Sequence, residues 1–166
     1  MSAIASTSPT TSNSLLRPIM IGGLITGVLH LIIQVGIVFG LMLKNPYISS
    51  LQYVASGAIG NAAFAGGLAT ALLGLILELL MTTIIAGIFI VSAARIPLLR
   101  RYVIPGSLLY GFGVFIVMGF VVLPLSAAPP LPAPSMLLLL EIILEHILFI
   151  GLPLGLLVRW NATLQK

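Results

Sequence analysis

Charge is what this sequence has least of. Only 6% of its 166 residues are Asp, Glu, Lys or Arg, against about 25% in a soluble globular domain, while 60% are hydrophobic. A chain of this size folded in water leaves roughly a third of its unfolded surface wet. There are too few polar side chains to cover that surface, so the expected solvent is lipid. Cysteine is absent, which excludes a disulfide framework, a thiolate nucleophile and cysteine-ligated zinc or iron–sulfur sites. Aspartate is absent too. No Walker loop, nucleophile elbow, zinc-protease pattern or dinucleotide glycine loop occurs, so the chain does not read as an enzyme. Seven basic and three acidic residues give a net charge of +4, without the basic clustering on a wet face that nucleic acid would require.

What the chain does have is long apolar runs. Residues 1–17 hold many Ser and Thr and no charge before Arg17, and are expected to form a disordered tail. Ile19 to Leu43 is 25 residues without a formal charge. As a helix that is about 37 Å, enough for a hydrocarbon core of about 30 Å and too long for a signal-peptide core. Further spans are expected over about 64–91, 102–125 and 136–158. Pro105 falls in a first helical turn, where its missing N–H costs little. The run Pro129, Pro130, Pro132, Pro134 breaks the chain between the last two spans. The expected fold is all-α, an up-and-down bundle of four transmembrane helices over 18–160, followed by a short tail, 161–166.

Arg17, Arg95, Arg100, Arg101, Arg159 and Lys166 fall on one side of such a bundle and Lys44 alone on the other. By the positive-inside rule both termini face the cytoplasm. In the first outer loop Leu51, Val54, Ala55, Ala58, Ile59 and Ala62 recur at helical spacing, with Gln52, Ser56, Gly60 and Asn61 opposite, predicting a short interfacial helix.

The costly residues are few and grouped. Glu78, Glu141, Glu145, His30, His146 and Gln34 all fall within expected spans, and ionisable groups at that depth face a bundle interior or a water-filled cavity. His30 and His146 each lie 13 residues from a basic helix end, about 20 Å deep. Gly23, Gly27, His30 and Gln34 form one stripe, and Gly67, Ala71, Gly74 and Glu78 repeat its spacing. Small residues allow close helix approach in lipid, so the first two spans are expected to pack along these stripes with His30 facing Glu78. Glu141 and Glu145 are one turn apart, with His146 about 100° further round. Gly151 and Gly155 add a second close-packing motif. Three uses of the polar group compete: a structural hydrogen-bonded core, a proton or ion pathway, and a ligand site. In the last, two histidines hold a haem iron axially or His and Glu bind zinc or iron.

The segment YVASGAIGNAAFAGGLATALLGLILELL from Tyr53 to Leu80, VVLPLSAAP from Val121 and HILFIGLPLGL from His146 resemble a group of small bacterial four-helix inner-membrane proteins to which no activity is assigned. The resemblance covers nearly the whole chain except the Ser/Thr tail. It implies an inner-membrane location and supplies no reaction. In that group an acid stands at the position of His30 and a histidine at that of Glu78, an exchange that a facing pair would permit. The combined reading is a small transport-related or accessory membrane protein without a required cofactor, the alternative being a bis-histidine haem- or metal-binding subunit in electron transfer. Its expected partners are the lipid bilayer and a second copy or larger membrane complex.

Overall fold

In a computed structural model, residues 12–34, 47–131 and 133–161 are described. All regular structure among them is helical: α1 (Ser12–Ile33), α2 (Tyr47–Ile59), α3 (Gly67–Arg95), α4 (Pro97–Arg101), α5 (Val103–Leu125) and α6 (Met136–Trp160), with a 3₁₀ segment, Gly60–Ala65, leading into α3. Four of these, α1, α3, α5 and α6, are long and apolar enough to cross a membrane.

Their ends follow local chemistry. Helix α3 stops at Arg95 because Ile96 precedes a proline and takes an extended backbone (φ −106°, ψ 103°), the conformation that a following proline ring enforces. Pro97 then opens α4. The Ser135 side chain caps α6 by accepting from the Leu138 N–H at 3.2 Å, directly after the proline-rich stretch. At the other end of α2 and the 3₁₀ segment, Gly60 and Gly67 take positive φ (63° and 56°), a region open to glycine without steric cost.

The long helices close into a ring in which α1 touches α3 and α6, and α5 touches α6 and α3. Close approaches pair Gly22 with Leu154 and Ala86, Gly27 with Thr82, and Gly111 with Ile147. Residue numbers rise on one helix as they fall on the next, so α1/α3, α1/α6 and α5/α6 run antiparallel. The helix ends that carry Arg17, Arg95, Arg100, Arg101 and Arg159 therefore gather at one end of the bundle, around a cavity of about 600 Å³ lined by Arg100, Arg101, Tyr102 and Arg159 among others. Lys44 and Lys166 lie outside the described residues.

Near this basic end an apolar core is built from Ile85, Ala86, Phe89, Ile90, Ala93, Val103, Val114, Ile150, Leu154 and Val158. Tyr110 stacks against Phe89 and donates its hydroxyl to the Ile85 carbonyl at 2.7 Å. The outer faces are apolar as well: on α3, Leu68, Leu72, Ile76, Leu80, Ile84 and Ile88 are all exposed and recur every fourth residue.

Several expectations are corrected. Residues 12–17, read as tail, form the first turns of α1, held there because Leu15 and Ile19 pack on the apolar core. Helix α1 runs through Pro18, and the expected first span beyond Gln34 lies outside the described residues. The second span covers 67–95 rather than 64–91, its start set by the 3₁₀ segment. Helix α2 has the expected period, but its inward side mixes the two expected faces. Ser50, Gln52, Ala55 and Ser56 are buried, whereas Ala58, Ile59 and Ala62 are exposed. The reason is the surface that α2 meets: the Gln52 side-chain amide donates to the Gly67 carbonyl at 3.1 Å, and the Leu51 carbonyl lies directly over Gly74. Backbone groups there need polar partners.

A candidate cation site between helices α1, α3 and α6

The interior of the bundle changes character beyond the apolar core. On the side away from the basic end, α1, α3 and α6 each contribute ionisable side chains. Helix α1 brings His30, two turns beyond Gly23, which fits directly against Thr83 of α3. Gly27 does the same against Thr82, with Leu79 nearby. Because neither glycine carries a side chain, the α1 and α3 backbones come close enough for His30 to reach Glu78: Nδ1 and Oε1 are 2.7 Å apart. The His30 ring is thus gripped on both sides, since Nε2 lies 3.5 Å from Oε1 of Glu145 on α6.

His146 completes the group. Its ring meets that of His30 edge to face, with centroids 5.6 Å apart, and meets Phe115 of α5 at 5.8 Å. Its Nδ1 is 2.8 Å from the Ile142 carbonyl oxygen one turn back. Glu145 and His146 are adjacent in sequence and would point about 100° apart on a regular helix. Both are nonetheless buried, and directly after Glu145 the helix α6 leaves α-helical geometry. Residues His146–Gly151 form a π segment, in which the Leu152 N–H bonds to the Ile147 carbonyl five residues back. Pro153 follows at once, and its ring cannot coexist with a regular α-helical carbonyl four residues earlier. Widening the preceding turn removes that clash, and such single-turn bulges recur at functional sites. Helix α5 shows the same pairing, with π segment Met118–Val122 just before Pro124. Prolines within expected spans were the signal for both segments, and the reading from sequence did not use it.

Of the six polar residues expected to group, the structure brings four into one cluster: His30, Glu78, Glu145 and His146. Glu141 sits one turn away, partly buried and within charge–charge range of His30, with one carboxylate oxygen buried and unpartnered. Gln34 also has a buried, unpartnered side-chain oxygen and makes no described contact with the cluster. The small-residue stripe of the second span divides its partners. Near Glu78 the neighbours of α1 are Leu79, Thr82 and Thr83, whereas Gly74 is covered by Leu51 and Ala55 of α2. The stripe Gly67, Ala71, Gly74 is therefore not the α1 contact that its spacing suggested, because α2 occupies that face first. Gly151 and Gly155 pack against α5, at Gly111 and the backbone and hydroxyl of Ser107. Ser107 and Gly111 are the residues of this seam that sequence reasoning missed.

Three of the cluster's side chains converge further. One ligand atom from each of His30, Glu145 and His146 can be chosen so that all lie within 4.8 Å of one another. Glu145 Oε1 is fully buried and accepts no hydrogen bond, an expensive state for a carboxylate oxygen. These three side chains could together hold a metal ion. Comparison of the chain with protein-family models, with curated proteins and with solved structures finds no match.

Proposed function

We propose that the protein is a small transport-related or accessory membrane protein in which the His30/Glu78/Glu145/His146 cluster takes a cation from one side of the bilayer. The observation that carries this reading is the position of His30 between two buried carboxylates, at the centre of a ring whose outside is apolar. Ionisable groups at membrane depth are expensive and mark ion and substrate pathways. A bundle with apolar residues outward and carboxylates inward is arranged for lipid rather than water. In this reading α1, α3, α5 and α6 span a bacterial cytoplasmic membrane, and α2 lies at the outer interface. Both termini are cytoplasmic, because the arginine-rich end is the one that the positive-inside rule retains.

The two ends of the site differ. Toward the basic end the apolar core closes the bundle. Toward α2, polar groups continue: Gln34 and Glu141 one turn on, then Thr70, Gln52 and Ser50. The geometry thus supports loading from the α2 side. A haem held between His30 and His146 fits these positions less well. The carboxylate of Glu145 lies 3.5 Å from His30 Nε2, where the macrocycle of an axially ligated haem would have to pass, and the imidazoles meet edge to face rather than end on.

The test is charge displacement by the purified protein in proteoliposomes on a solid support, after concentration jumps of protons and of divalent cations. A transient signal is expected from the native protein and a much smaller one from Glu78→Gln. Native signals no larger than those of protein-free liposomes for every cation would refute the proposal.

A further inference from the structure

We infer that the cation is a divalent transition metal, bound by Nε2 of His30, Nε2 of His146 and the carboxylate of Glu145. This inference rests on the cation-handling reading above and names its substrate class.

The argument starts from the second nitrogen of each ring. A metal-binding histidine almost always has its other ring nitrogen held by a carboxylate or a backbone carbonyl, which fixes the tautomer and the ring orientation. Both devices are present. Glu78 Oε1 lies 2.7 Å from Nδ1 of His30, an ion-pair contact without hydrogen-bond alignment, and the Ile142 carbonyl stands 2.8 Å from Nδ1 of His146. His30 Nε2 faces Glu145 Oε1 at 3.5 Å, and that buried oxygen, the third member, has no hydrogen-bond partner.

Distances agree with a metal in the gap. Two ligands on a tetrahedral ion with bonds of about 2.0–2.1 Å are about 3.3 Å apart. His30 Nε2 and Glu145 Oε1 are already 3.5 Å apart, and the widest separation in the trio, at most 4.8 Å, has to close by about 1.5 Å, within the reach of side-chain rotation. Charge agrees too. With neutral imidazoles, a dication facing the carboxylates of Glu145 and Glu78 makes the cluster neutral, the condition under which ions are tolerated at low dielectric. Ligand type selects the class. Two imidazoles and one carboxylate suit zinc, iron(II), cobalt(II), manganese(II) or nickel(II), whereas magnesium and calcium prefer all-oxygen sites and copper(I) prefers sulfur. Three protein ligands leave at least one coordination position open, as expected of a site that must release its ion.

The experiment uses tag-free, detergent-purified full chain titrated with Co(II), read by its visible d–d absorption, and with Zn(II), read by metal analysis after desalting. One equivalent per chain is expected. Glu145→Gln and His146→Ala should each abolish it, and Glu78→Gln should weaken it about 10- to 100-fold, the usual effect of losing an outer-shell partner. Gly113→Ala, whose added carbon meets nothing within 4 Å, should leave it unchanged. Because a cluster variant can fail to fold, the SDS-unfolding midpoint of each, read by Trp160 fluorescence, is compared with that of the native protein, and the native protein carries the decisive result. Failure of the native protein to retain about one equivalent of either metal overturns the inference. So does undiminished binding by a folded Glu145→Gln. Metal retention without charge displacement would leave the site standing and refute the transport reading. Displacement on proton jumps alone, with no metal retained, would do the reverse.

Discussion

Replacing Gly151 by alanine should loosen the α5–α6 seam by 1–3 kcal/mol, about the usual cost of overpacking. The added methyl would fall on the Ser107 carbonyl oxygen, 3.2 Å from the Ser107 carbonyl carbon and 3.3 Å from the Gly111 Cα. These are main-chain atoms of α5, so no rotamer change relieves the contact and the helices must separate. Carbon atoms reach their optimum at about 3.5–4.0 Å, and a gap of 0.5–1 Å forfeits about a quarter to a half of each pair's attraction of about 0.1–0.2 kcal/mol. Over a seam with on the order of 20 such pairs this is about 0.5–2 kcal/mol, which overlaps the overpacking range. In water, alanine would recover about 1 kcal/mol of helix propensity. In detergent the unfolded state keeps its helices, so little of that is regained. Gly113→Ala is the matched control, since nothing lies within 4 Å of its added carbon, and it should stay within about 0.5 kcal/mol of the native protein. Titration with SDS in mixed micelles, followed by far-UV circular dichroism and by the fluorescence of the sole tryptophan, Trp160, measures both. Equal midpoints for Gly151→Ala and Gly113→Ala would refute the argument.

Three further outcomes are expected. A double-mutant cycle on His30→Ala and Glu78→Ala should show a coupling energy of about 0.5–3 kcal/mol, and additivity would mean that the 2.7 Å contact carries no energy. Ile76→Arg, on the exposed α3 stripe, should raise the apparent insertion free energy of this helix by about 3 kcal/mol in a translocon assay, and unchanged insertion would argue against a lipid-facing stripe. Burial raises the Tyr53 phenol above its ordinary value of 10.0, so the folded state holds that proton more tightly than the unfolded one. Its contribution is intact below pH 10 and is lost as pH rises above it. Proteolytic release of α2 should therefore accelerate above about pH 10 in the native protein relative to Tyr53→Phe, and identical profiles would contradict the sign.

Much of the fold was legible because lipid imposes one dominant rule, an uninterrupted apolar run, and the ends of α3, α5 and α6 lie within a few residues of that pattern. The approach of His30 to Glu78 was legible for a related reason: glycines at Gly23 and Gly27 have little use on a helix face other than admitting a neighbour. What failed was the choice of neighbour. Gly74 carries the same spacing signal, yet α2 reaches it before α1 can, a contest decided in three dimensions. The inward turn of Gln52 and Ser56 failed likewise, because the amphipathic rule assumes water on the outside. Glu145 and His146 were grouped from sequence, but the π segment that follows them was not foreseen, because the reading assumed 3.6 residues per turn, which Pro153 breaks.

That break gives α6 one residue more than a regular helix needs to reach from Met136 to Trp160. A single-residue deletion from Ile147 to Ile150 would remove the widened turn and bring the Pro153 ring against the carbonyl four residues earlier. The strain would fall on the turn that carries Glu145 and His146, though neither residue had been altered. The cluster is therefore sensitive to chain length at a place where it tolerates changes of apolar side chain: Leu148 is exposed and open to substitution, but its removal outright would dismantle a site three residues away.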